Sequence, residues 1–193
     1  MPKVKLAVVE EHCCDGQKLA IDKYLQVGTG ISRQLLVIGE SPASNWRMSG
    51  RAFFTVDGKI VPTGKNLLIN LKQIDDRLDL ENISFTEISK CFICNNRKKL
   101  QACALKNWPH FIEQLNYIKP KLIILLGKET TAIFNLLAGS SLDIGRVQEV
   151  NLFEKFYSVF PLYHPSPLNP KRSQNVEFIN DNIKEIKKLL EIK

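Results

Sequence analysis

Gln34-Leu35-Leu36-Val37-Ile38-Gly39-Glu40-Ser41-Pro42 passes in nine residues from an apolar run to a glycine, a carboxylate and a proline. A short apolar run closed by such a turn signal predicts a strand buried on both faces. Three further runs read the same way: Ser84 to Ser89, Lys121 to Leu126 and Phe156 to Tyr163. Helical spacing fills the gaps between them. Leu67, Leu71, Ile74 and Leu78 recur on one face, as do Trp108, Phe111, Ile112, Leu115 and Ile118 ahead of Pro120. A further helix is predicted from Lys128 through Ile133, Phe134 and Leu137, and a last one from about Ser173 with Val176, Ile179, Ile183, Ile186 and Leu190. Strands alternating with helices predict an α/β fold of three layers, with a four-stranded, mainly parallel sheet between helices.

Two segments depart from that rhythm. Asp57-Gly58 between Phe54-Thr55-Val56 and Lys59-Ile60-Val61 predicts a small inserted β-hairpin. The stretch from about Asp15 to Leu25 predicts a helix, followed by the loop Gly28-Thr29-Gly30. No linker divides the chain, so residues 1–193 are expected to form one domain.

In open α/β sheets, ligands bind beyond the carboxyl ends of the strands, and the chemically unusual residues collect there. The first strand runs into Gly39-Glu40-Ser41-Pro42 and Trp46, and the second ends near Glu87, ahead of the basic loop Asn95-Asn96-Arg97-Lys98-Lys99. The third ends in Gly127-Lys128, and the fourth leads into His164-Pro165-Ser166-Pro167-Leu168-Asn169-Pro170-Lys171-Arg172. One sheet edge therefore gathers a carboxylate, a histidine, aromatics and most of the basic loops.

The formal charge of +7 suits a polyanionic partner, because each lysine or arginine set against a phosphate releases counterions. No apolar run approaches a membrane span, and Met1-Pro2-Lys3-Val4-Lys5 lacks a signal-peptide core, so a cytoplasmic protein is expected. Five cysteines, two of them adjacent (Cys13, Cys14), fit thiols or metal ligands better than a disulfide framework. No glycine-rich phosphate loop follows any strand, which disfavours a nucleotide-handling enzyme.

The motifs at these strand ends resemble those of the uracil-DNA glycosylase superfamily, and most closely its iron–sulfur (family 4) pattern. Gly39, Glu40, Pro42, Gly50, Arg51 and Phe53 match the first motif without a gap, with Ser49 in place of Thr. Thr86, Lys90, Cys91, Asn96 and Arg97 match the second-strand motif. Ile118-Lys119-Pro120 through Leu126-Gly127 is similar to the third-strand entry, and His164-Pro165-Ser166-Pro167-Leu168 to the second catalytic motif. The resemblance covers about Cys14 to Arg172.

It implies a monofunctional hydrolase that cleaves the bond between a damaged or deaminated base and its sugar in base excision repair. The alternative is a non-catalytic nucleic-acid-binding protein with the same fold. Such cleavage passes through an oxocarbenium-like sugar and an anionic leaving base, with the base flipped out of the stack. The resemblance implies that Glu40 positions water or stabilises the cation, and that His164 donates to a base oxygen. The plainer alternatives are a Glu40 that caps the following turn and a His164 that orders the proline-rich turn. Phe53 is implied to stack on the base, with Phe54 competing for that place, and Ser41 and Glu87 complete the base-binding set. Leu168 is placed to wedge into the base stack, while Arg97, Ser166, Lys171 and Arg172 contact DNA. DNA, damaged or single-stranded, is the expected partner of a monomer that engages no membrane.

The chain departs from the family pattern in several places. Glu87 stands where the uracil readers carry Asn, Ala43 stands in place of Gly, and Ser41 occupies a position that related families fill with Asp, Asn or Ala. An ionised Glu87 has only acceptors and would repel uracil O4, whereas a protonated one could imitate Asn. Uracil excision by the natural protein at neutral pH is therefore expected to be weak or absent, and to rise on Glu87→Asn. A third course has Glu87 turning away to pair with Lys90 or Arg97. The family's 4Fe–4S cluster needs four cysteines. Here Cys14, Cys91, Cys94 and Cys103 are the candidates, but the adjacent Cys13-Cys14 pair suits one cluster poorly, so no cofactor is expected.

Overall fold

The computed structural model describes residues 20–92 and 99–192. The described chain runs through β1 (Leu25–Gln26), β2 (Leu35–Gly39), α1 (Ser44–Ser49), α2 (Pro62–Ile74), β3 (Ser84–Glu87) and α3 (Leu100–Ile118). It continues through β4 (Leu122–Leu126), α4 (Lys128–Ala138), β5 (Gln148–Leu152), β6 (Lys155–Leu162) and α5 (Gln174–Leu189). The strands form one sheet in the order β1-β3-β2-β4-β6-β5. Its centre, β3-β2-β4-β6, is wholly parallel and consists of the four strands that the apolar runs predict.

The sheet has six strands rather than four, because an antiparallel strand closes each edge: β1 on β3 and β5 on β6. Neither carries an apolar run. Strand β1 is two residues long, and β5 alternates buried Val150 and Leu152 with polar neighbours, as expected for a strand covered on one side.

Side chains of the central strands alternate between two cores. Leu35 and Val37 of β2, with Leu122, Ile124 and Leu126 of β4, pack beneath Leu67 and Leu71 of α2 and Ile179 and Ile186 of α5. Leu36 and Ile38, with Ile123 and Leu125, pack on the other face against Phe111 and Leu115 of α3 and Phe134 of α4. All of these side chains are buried, each contributing roughly 1.5–3 kcal/mol of transfer free energy. The three-layer arrangement follows from that double burial.

Three local expectations need correction. The hairpin at Asp57-Gly58 reduces to one antiparallel bridge, Phe54 to Ile60. The Thr55 N–H donates to Lys59 O at 2.9 Å, so the loop is wider than a two-residue turn. Residues 20–25 form a turn leading into β1 rather than the end of a helix, and the preceding part of that predicted helix lies outside the described residues. Helix α3 begins well before Trp108 and contains Pro109. Proline removes the bond to the carbonyl four residues earlier, here on solvent-exposed Leu105, where water can replace it.

Candidate active site

All four parallel strands deliver their carboxyl ends to one cleft of about 1360 Å³. Small-molecule pockets commonly run to roughly 300–1,000 Å³, so the space suits a larger or extended ligand. Glu40 and Ser41 enter from β2, Glu87 from β3, Lys128 from β4, and His164, Ser166, Leu168 and Lys171 from the loop after β6. The expected convergence of Glu40, Glu87 and His164 is present.

Glu40 is fixed through its backbone. Past the end of β3, the Ile88 N–H donates to Gly39 O at 2.9 Å and the Ser89 N–H to Glu40 O at 3.1 Å, which extends the strand pairing into the site. The neighbouring helix α1 begins at Ala43 without a side-chain cap.

His164 sits in a turn held from three sides. Buried Asn175 accepts from Tyr163 N–H at 2.9 Å and donates to Tyr163 O at 2.8 Å. Asn169 donates to His164 O at 2.9 Å, and Asn66 of α2 donates to Pro165 O at 2.8 Å. The Ser166 N–H donates to His164 Nδ1 at 3.2 Å. In the neutral ring this places the proton on Nε2, leaving an N–H donor on the far side of the imidazole. Gly127 packs closely on the base of the His164 side chain, where a Cβ would stand 3.1 Å from His164 Cβ, and its φ of 102° is one that glycine alone adopts freely.

Phe53 and Phe54 divide sharply. Phe53 lines the cleft with φ at 66°, a conformation rare for a bulky side chain, and its ring meets Phe85 edge-on at 4.7 Å. Phe54 is buried in the core with the Arg51 guanidinium 3.9 Å over its ring, and does not line the cleft. It is withdrawn from the base-binding set. Behind Phe85 stand Trp46 at 5.0 Å and then Tyr24, so a row of aromatics backs Phe53. Trp46, which also lines the cleft, could have been suspected from its place in the loop after the first strand.

Glu87 is 5% exposed and faces the cleft, on the same side of β3 as Phe85. Its Oε2 is buried and has no hydrogen-bond partner among the described residues. It has not turned away to pair with Lys90, whose ammonium donates instead to Thr86 Oγ1 and to the backbone carbonyl of Glu87. Burial pushes the Glu87 carboxyl well above the usual carboxylate range. Lys90 partly opposes that rise and the charge of Glu40 adds to it.

Leu168 is 93% exposed at the mouth of the cleft. Lys171 is exposed, with Nζ 5.6 Å over the Tyr163 ring. Arg172 differs from expectation, because its Nη1 donates to Pro167 O and Asn169 O, both at 3.1 Å, and so braces the turn. Arg97 lies outside the described residues.

Of the cysteine candidates, Cys14 and Cys94 also lie outside the described residues. Cys91 and Cys103 are buried in one core cluster, where Asn107 Nδ2 is 3.8 Å from Cys91 Sγ and 2.8 Å from Cys103 O. Two buried thiols in one core cluster are donors of the type that an iron–sulfur cluster takes. Among the described residues, no group of three or more His, Cys, Asp or Glu side chains is placed to hold a metal. No helix among them is long and apolar enough to cross a membrane.

Comparison with known proteins adds relatives to this geometry. The family model described as "Uracil DNA glycosylase superfamily" matches residues 27–190. A protein of Saccharolobus solfataricus named "Type-4 uracil-DNA glycosylase" is 30% identical over 145 residues, covering 72% of this chain and 64% of that protein. The chain thus spans somewhat less than two thirds of that relative. Proteins of the same name from Sulfurisphaera tokodaii and Archaeoglobus fulgidus are each 27% identical. Those matches cover 81% and 87% of this chain, and 70% and 82% of the respective relatives.

Proposed function

The chain belongs to the uracil DNA glycosylase superfamily, and we propose that it is a monofunctional DNA glycosylase that hydrolyses the N-glycosidic bond of a damaged or deaminated base. The observation that carries this reading is the meeting of Glu40, His164, Phe53 and Glu87 in one cleft at the carboxyl edge of the sheet.

A base drawn from DNA into the cleft stacks on Phe53, whose ring Phe85 holds from behind. As the bond between base and sugar lengthens, positive charge gathers on the sugar and negative charge on the base. Glu40 lies where its carboxylate stabilises the first and orients the attacking water. His164 Nε2–H donates to the base oxygen that gains the second, and the Ser166 bond to Nδ1 keeps that proton in place. Leu168 fills the gap left in the base stack, Lys171 meets a flanking phosphate, and Ser41 lines the base pocket. Each of these steps is carried by a side chain of the protein. Were a 4Fe–4S cluster bound by Cys91 and Cys103 together with Cys14 and Cys94, it would supply a cross-link between those segments. On this reading residues 1–193 form one domain, acting on DNA as a cytoplasmic monomer.

The test is release of bases from single-stranded and mismatched duplex oligonucleotides carrying uracil, hypoxanthine, xanthine or alkylated bases. At least one should be released, and Glu40→Gln and His164→Ala should each slow release by roughly 10²–10³-fold. Salt-sensitive DNA binding without release of any base would instead identify a non-catalytic nucleic-acid-binding protein.

A further inference from the structure

Glu87 is a carboxyl group more than nine-tenths buried in the wall of a cleft, and one of its oxygens lacks a partner among the described residues. Its seating is tight. Across the β2–β3 pair it lies opposite Gly39, and a Cβ on that glycine would fall 2.2 Å from Glu87 Oε2. The Lys90 ammonium, whose charge bears on Glu87, donates to Thr86 Oγ1 and to the Glu87 backbone carbonyl. The same Cβ on Gly39 would fall 3.0 Å from Phe85 Cζ, so the carboxyl stands beside the edge-on Phe53–Phe85 pair, where the edge of a base lying on Phe53 would arrive.

Resting on the reading of this cleft as a base pocket, we propose that Glu87 reads the inserted base as an un-ionised acid, its O–H donating and its C=O accepting. That pair complements a lactam edge, an N–H beside a C=O. Uracil presents one at N3–H and O4, and hypoxanthine and xanthine present one at N1–H and O6. An ionised carboxylate, with acceptors only, would select instead the two adjacent donors of a guanine edge.

The surroundings favour the neutral acid. Desolvation penalises the charged form most, and Glu40 at the end of β2 adds like charge, while Lys90 opposes both. Among the described residues, Lys128 and Glu129 from α4, with Tyr163, His164 and Lys171 after β6, make up the rest of the charged and titratable lining. The sequence-based expectation of poor uracil handling rested on an ionised Glu87, and burial reverses it. The site then takes lactam bases as a class, and Glu87 is its specificity determinant.

A base that cannot be released separates this inference from the glycosylase reading. Binding is measured at neutral pH to single-stranded oligonucleotides carrying deoxypseudouridine, whose carbon–carbon glycosidic bond resists hydrolysis, and to the N3-methyl counterpart. The natural protein should bind the N3–H form about ten-fold more tightly, the worth of one buried hydrogen bond. Glu87→Ala should lose that preference, and Glu87→Gln, which keeps a donor beside an acceptor, should restore most of it. Difference infrared spectra of the natural protein against Glu87→Gln should show the carbonyl band of an un-ionised acid. A carboxylate band in its place, no preference between the two strands, or a preference that survives Glu87→Ala would each overturn the inference. Base release is not read here, so a protein that discriminates but never cleaves would sink the glycosylase reading alone.

Discussion

Gly39 leaves the space that Glu87 occupies: the two residues face each other across the parallel pair β2–β3, and a Cβ on Gly39 would stand 2.2 Å from Glu87 Oε2 and 2.9 Å from Cδ. The obstruction is the far end of a side chain rather than backbone, and Gly39 does not have a positive φ. Gly39→Ala should therefore evict the carboxyl without breaking the sheet. Thermal unfolding should register a cost of about 1–3 kcal/mol from overpacking, while preference for a lactam base disappears. Intact base preference in Gly39→Ala would mean that Glu87 does its reading from some other position.

Buried Glu87 also leaves a signature in stability without DNA. Its folded-state pKa lies well above the 4.5 of an ordinary glutamate side chain, so the folded chain favours the protonated form. The stability contributed by that preference is fully present below about pH 4.5 and is lost as pH rises through the folded value. Glu87→Gln has no proton to lose there. Urea unfolding at several pH values should show the variant gaining on the natural protein as pH rises. A pH-independent difference would argue that the carboxyl has the same pKa folded and unfolded.

Asn175 carries a different expectation, because it does not itself line the cleft. Its side chain closes two hydrogen bonds on the backbone of Tyr163, immediately before His164. Asn175→Ala takes the partner from the N–H and C=O of half-buried Tyr163, a loss of about 0.5–1.5 kcal/mol for each bond, and frees the start of the turn. Base release should fall with the melting temperature, and the deficit should persist at temperatures where the variant is still fully folded. If activity recovers completely once folding is ensured, Asn175 serves stability alone.

The sequence disclosed the centre of the sheet and the location of the cleft, and lost accuracy wherever burial had to be known. Strands β2 and β4 were legible because both faces are covered, so every position is apolar. Strand β5 was not, because covering on one side leaves Gln148, Glu149 and Asn151 polar. Phe53 and Phe54 could not be separated from composition. Their roles divide through a left-handed φ at Phe53 that turns one ring into the cleft and the other into the core. Glu87 was visible as a strand-end carboxylate, but whether it ionises depends on desolvation, which no local pattern of residues encodes.

Lys171 and Arg172, adjacent and both basic, should separate when binding is measured against salt. Lys171 is exposed at the cleft mouth and free to approach a phosphate, while Arg172 is drawn inward onto the carbonyls of Pro167 and Asn169. Removing a phosphate contact lowers the slope of log affinity against log salt by roughly 0.7–0.9, according to whether the strand is single or duplex. Lys171→Ala should show that drop, weaken binding to all sequences alike, and leave the melting temperature nearly unchanged. Arg172→Ala should instead loosen the turn that presents His164 and Leu168, lowering base release and thermal stability with little change in slope. Equal slope changes in the two variants would return Arg172 to the phosphate backbone, and its bonds within the turn would then have to break when DNA binds.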